Sequence, residues 1–190
     1  MNKLLQLTKL KQKMLTDLSL PLRDTATNLV FGEGNPNPQI YFLGEAPGRH
    51  EDETGLPFVG QAGKLLTKLI ESIGLKRSDV YITSIVRYRP PQNRDPKPSE
   101  IEAFKPYLDQ ELNILKPKII ATLGRFSLNK FLPNVKISQV HGTPHPIIFN
   151  NQPVIIFPLY HPAAALRRQA FKQVLETDFV KLSSFLTKQM

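Results

Sequence analysis

Carboxylates gather where a basic protein has little reason to keep them. Glu45, Glu51, Asp52 and Glu53 crowd one short segment of a 190-residue chain whose formal charge is +9. They follow the apolar run Ile40–Leu43, which has the length and character of a buried strand. A solvated acidic loop would account for them. Beside a surface that binds phosphates, however, carboxylates repel the ligand, so their presence points to chemistry: orienting a water, or stabilising a cationic transition state. Cleavage of a glycosidic bond passes through an oxocarbenium-like sugar and needs a negative charge close by. His161 is a second candidate. A lone histidine is usually structural, but this one follows the apolar run Val154–Phe157 and leads into proline and a basic loop, HPAAALRR.

Other chemistries fail on spacing. Gly60-Gln-Ala-Gly63-Lys64-Leu65 hints at a phosphate-binding loop, but that motif needs glycine at 58 and Ser or Thr at 65, where the chain has Phe58 and Leu65. Gly32 and Gly34 lack the third glycine of a dinucleotide fingerprint, because position 37 is Asn37. There is no cysteine, which excludes disulfides, thiolate metal sites and a cysteine nucleophile. The four histidines, His50, His141, His145 and His161, show no zinc spacing, and HGTPHP reads as a turn between edge strands. No metal and no cofactor are expected.

Four apolar runs must position the candidates: Ile40–Leu43, Val80–Val86, Ile119–Leu123 and Val154–Phe157. Helical patterns separate them. One carries Ala62, Leu65, Leu66, Leu69, Ile70 and Ile73 on one face and stops at Gly74. Another starts at Ser99, with Glu102 completing a capping box. A short one covers Arg125 to Phe131, and the last runs from about Ala163 to Leu186. Alternating strands and helices predict an α/β fold, with a parallel sheet covered on both faces and a site at the carboxyl ends of its strands. The loops there are rich in the chain's 17 prolines, which suits a preorganised site. Leu4, Leu7, Leu10, Met14 and Leu18 form an amphipathic stripe, so residues 1–24 are expected to dock as a helix on a single domain spanning 1–190. Lysines interrupt that segment too often for a signal peptide, and a mitochondrial presequence is the lesser alternative. No apolar stretch is long enough for a bilayer. The charge favours a polyanionic partner, and an intracellular, monomeric protein is expected.

Taken in order, GEGNP, GEAPGRHEDE, GLPFVGQAGKLL, RPPQNRDPKPSE and HPAAALR resemble the family 4 uracil-DNA glycosylases, from about Asp17 to Arg168. The resemblance implies a three-layer α/β/α sandwich around a central four-stranded parallel sheet. It implies an enzyme that binds single- or double-stranded DNA, flips out uracil and hydrolyses its glycosidic bond. By the same resemblance Glu45 and Ala46 occupy the loop that activates water, Glu51 is the second carboxylate, and Phe58 stacks on the base. Asn93 supports that site, and His161 hydrogen-bonds uracil O2. Ala163 to Arg167, including Ala165 and Leu166, lie in the loop that enters the duplex, while Arg87, Arg89, Arg94, Arg167 and Arg168 are expected on phosphates.

Two departures stand out. The family holds an iron–sulfur cluster on four cysteines, and the matching positions here are Asp17, Leu20, Tyr88 and Phe104, which cannot ligate one. A hydrophobic plug of Leu20, Tyr88 and Phe104 is the expected substitute. The family's base-reading asparagine is replaced by Ser84, whose hydroxyl makes fewer simultaneous contacts. That leaves open excision of other deaminated bases, and a noncatalytic damage-sensing module is the alternative from another class.

Overall fold

A computed structural model describes residues 2–189. Among them the strands are β1 (Glu33–Gly34), β2 (Tyr41–Gly44), β3 (Tyr81–Ser84), β4 (Ile119–Leu123), β5 (His145–Phe149) and β6 (Gln152–Leu159). The helices are α1 (Lys3–Thr16), α2 (Arg49–Thr54), α3 (Gln61–Ser72), α4 (Pro98–Leu115), α5 (Arg125–Phe131), α6 (Ile137–Val140), α7 (Pro162–Arg167) and α8 (Gln169–Gln189). The sheet order is β1-β3-β2-β4-β6-β5. Its four central strands, β3-β2-β4-β6, are parallel, as the alternation of strands and helices requires.

The sheet is nonetheless six-stranded, because an antiparallel strand is added at each edge. β1 is only two residues long, within GEGNP. β5 alternates between partly buried and exposed positions and pairs with β6 through Asn150 and Asn151, both at positive φ. That is the twist-matched geometry of a two-residue hairpin turn. His145 therefore begins an edge strand, and only the residues just before it form the turn.

Both faces of the sheet are covered. Tyr41, Leu43, Tyr81, Ile120 and Ile156 point to one side, into a core with Leu7, Leu10 and Met14 of α1 and Phe104, Leu108 and Leu112 of α4. Ile40, Phe42, Ile82, Ala121 and Phe157 point to the other, against Leu66 and Ile70 of α3 and Leu175, Phe179 and Leu182 of α8. Every residue of β2, β3 and β4 is buried, the mark of parallel strands enclosed by helices. α1 lies against α4, but Leu4 and Leu18 of its expected stripe stay exposed, at 60% and 79%.

Two helix limits differ from expectation. α4 starts at Pro98, which needs no N–H partner in the first turn; Glu100, not Glu102, accepts the Lys97 N–H at 2.7 Å. The last helical stretch is broken at Arg168, whose φ of −144° and ψ of 120° are extended, so α7 and α8 are separate helices. The Val80–Val86 run leaves the ladder after Ser84, although Ile85 and Val86 still donate to Gly44 and Glu45 carbonyls at 3.1 and 3.2 Å.

Candidate active site

The loops leaving β2, β3, β4 and β6 enclose a cleft of about 560 Å³ that contains Glu45, Ala46, Glu51, Phe58, Ser84, Asn93 and His161. A larger open groove of about 1040 Å³ beside α3 and α8 contains none of Glu45, Glu51 or His161. Four carboxylates crowd the β2 loop, and the structure separates their tasks. Glu51 accepts backbone N–H groups from Gly48, Val59 and Gly60 at 3.1, 2.9 and 2.8 Å, which folds the loop back on itself. Asp52 is buried and holds Thr27 and Asn28 N–H groups at 2.8 and 3.2 Å. Glu53 pairs with Arg49 at 2.7 Å on the surface. Of these four carboxylates, Glu45 alone makes no hydrogen bond to the described residues. Burial, reinforced by the charge of Asp95 and offset by Arg125, pushes its pKa up to about 7.

His161 caps α7: its Nδ1 accepts the Ala163 N–H at 3.1 Å. Enclosure, with Glu51 opposing and Arg167 adding to it, lowers its pKa to about 4, so the ring is neutral at pH 7. With Nδ1 accepting, the ring proton sits on Nε2, which remains available as a donor. The Phe58 ring lies 5.7 Å from the His161 ring. Phe58 has a φ of 52° and is held by Arg77, which donates to the carbonyls of Phe58 at 3.2 Å and Pro57 at 2.5 Å. A Cβ at Gly63 would stand 1.8 Å from the Phe58 carbonyl oxygen, and one at Gly44 would stand 2.5 Å from its ring. The glycines that imitate a phosphate loop thus let α3 and β2 approach the Phe58 turn.

The match to known proteins decides the family. The model of the uracil DNA glycosylase superfamily matches residues 31–181. The chain belongs to the uracil-DNA glycosylase superfamily. It is 45% identical over 182 residues to the type-4 uracil-DNA glycosylase of Sulfurisphaera tokodaii, covering 93% of this chain and 83% of that one. It is 45% identical over 173 residues to the type-4 enzyme of Archaeoglobus fulgidus (88% and 87%). Against that of Saccharolobus solfataricus it is 47% identical over 168 residues (85% and 78%).

As a member of this superfamily the chain departs from the expected site at several residues. Arg87 cannot touch a phosphate. It is 1% exposed and paired with the buried Glu111 at 2.8 Å, with Tyr41 and Tyr81 hydroxyls donating to the same carboxylate at 2.5 and 3.2 Å. Ala165 is 4% exposed and packs into the core, so it is not a DNA contact either. Arg89 donates to Asn93 Oδ1 at 2.7 Å, and Arg94 is paired with Glu100 at 2.6 Å. Leu166, Arg167 and Arg168 are exposed. Ser84 is buried at the end of β3 and lines the cleft. The sequence does not single out Arg77, which holds the Phe58 turn, or Asp95, Arg125 and Tyr160, which line the cleft. Arg125 carried one signal, its place just past the carboxyl end of a predicted strand.

The positions corresponding to the family's cluster cysteines do not fit an iron–sulfur cluster. Leu20, Tyr88 and Phe104 are buried in one core, with the Tyr88 and Phe104 rings 6.1 Å apart. Asp17 accepts from the Tyr107 hydroxyl and from Ser19 instead of joining that plug. Among the described residues no group of His, Asp and Glu is placed to hold a metal ion, and no helix is long and apolar enough to cross a membrane.

Proposed function

We propose that this chain is a monofunctional DNA glycosylase that excises uracil and leaves an abasic site. The observation that carries the reading is the pairing, in one cleft, of an unbonded carboxylate, Glu45, with a neutral histidine whose Nε2–H is free. Hydrolysis of the glycosidic bond builds positive charge on the sugar and negative charge on the departing base. Glu45, once ionised, orients the attacking water and faces the cationic sugar. His161 donates to uracil O2 as charge develops there, a role for which the neutral ring is already set. Phe58 stacks on the flipped base, Ser84 offers it one hydroxyl, and Ala46 borders it. Asn93 steadies the far wall, and Glu51 acts through the loop that it folds. Arg89, Arg167 and Arg168 meet phosphates, and Leu166 enters the space that the base vacates. On this reading the enzyme works as a monomer inside the cell on uracil-containing DNA, single- or double-stranded. Incubation with oligonucleotides carrying uracil, hypoxanthine or xanthine, followed by alkaline cleavage, tests it. Breakage at uracil is expected, and none at any base would sink the proposal.

A further inference from the structure

Glu45 stands at the end of β2, which lies between β3 and β4 in the sheet. The segment leaving β3 carries Asp95, and the helix leaving β4 begins at Arg125. Their side chains form an ion pair, Arg125 Nη2 to Asp95 Oδ2, and both line the cleft with Glu45. The bridge therefore joins the two flanking strand ends across the position of the central one. The other charged groups facing the cleft are committed elsewhere. Glu51 serves three backbone amides, Arg94 is held by Glu100, His161 is neutral, and Arg167 sits at the exposed rim.

We propose that the Asp95–Arg125 bridge sets the charge of Glu45: Arg125 is a positioning residue that keeps the carboxylate ionised for the reaction, and Asp95 opposes it. This rests on the reading of Glu45 as the reacting carboxylate. Burial is the largest cause of the raised Glu45 pKa, and on top of it the two bridge charges act in opposite directions. Bound to each other they partly cancel. Their side chains are 66% and 61% exposed, so replacing either should leave folding intact.

The test is a carbon-detected titration of the Glu45 carboxyl in the free protein, alongside the pH profile of single-turnover cleavage of uracil DNA. Asp95→Asn should lower the Glu45 midpoint and Arg125→Gln should raise it, each by about half a pH unit for a screened charge nearby. Arg125→Lys should restore most of the loss. At about 1 M salt, where screening acts over roughly 3 Å, the differences should shrink. The acid limb of the rate should move with the titration, while thermal unfolding stays as in the wild type. An unchanged Glu45 midpoint in both charge-removing variants overturns the inference, even if the enzyme cleaves uracil DNA. Shifted midpoints in a protein that never cleaves uracil support the electrostatic coupling and overturn the proposed function instead.

Discussion

In the proposed mechanism Glu45 and His161 divide the reaction by having opposite protonation needs at neutral pH. Because the His161 ring loses its proton near pH 4, it contributes no titration to activity above pH 5. In the proposed role Glu45 works ionised, and its pKa near 7 means that the rate should rise with pH through neutrality. His161→Ala should slow single-turnover cleavage by about 100-fold, about 2.7 kcal/mol, with DNA binding kept; a wild-type rate would refute its role. Glu45→Gln should remove the acid limb and slow cleavage at pH 8. It should also stabilise the fold. The folded pKa lies above the ordinary carboxylate value, so the native state holds its proton longer, and stability falls as pH rises from about 4.5 to 7. Glutamine escapes that loss. Discounted for the open side of the cleft, the gain at pH 8 should be about 1 kcal/mol and vanish near pH 4, as read by urea unfolding at both pH values.

At the scale of elements, the plug and the buried ion pair do different work. Leu20, Tyr88 and Phe104 join the segment after α1, the loop after β3 and the middle of α4 in one core. Phe104→Ala should cost about 3–5 kcal/mol if that packing is tight. Arg87 and Glu111 tie the same loop to α4 from beneath. Glu111→Ala strands a buried guanidinium and should cost about 3–5 kcal/mol, whereas Arg87→Met with Glu111→Leu together should cost far less. A double-variant loss equal to the sum of the two single losses would show that the charges are not coupled. The four parallel strands were legible because β2, β3 and β4 are short, wholly buried runs and β6 carries a largely buried apolar stretch, which the apolar pattern reports directly. β1 and β5 were not, since a two-residue strand and one interrupted by Pro146 leave little pattern to read. In the site, the positions of Glu45, Phe58 and His161 could be read from motifs. The burial of Arg87 was not read, because its partner Glu111 lies 24 residues away; the one signal was that Glu111 falls on the same face of α4 as Phe104, Leu108 and Leu115, where a lone carboxylate needs a buried partner.

For the whole molecule, the +9 charge is the coarse determinant of affinity, and the rim of the cleft decides how it is used. Arg167 and Arg168 are exposed beside Leu166, so each phosphate they meet should add about −0.9 to the slope of log affinity against log salt on duplex DNA. Changing either to alanine should flatten the slope by up to about that amount, equally across sequences. Leu166 sits between that charge and the core. It is a large apolar side chain, 52% exposed at the end of a helix whose Ala165 is packed inward, so the leucine is the apolar group of α7 left facing out. Water contact there is unfavourable in the free protein and is relieved if the side chain fills the gap left by a flipped nucleotide. Flipping costs a few kcal/mol in a duplex and far less in a single strand, where no pair is broken. Leu166→Ala should therefore slow cleavage of uracil in duplex DNA by roughly tenfold, about 1.4 kcal/mol, the scale of burying half a leucine. Cleavage in single-stranded DNA should change little. Equal slowing on both substrates would place Leu166 in binding at large, and no slowing on either would remove it from the path of the base.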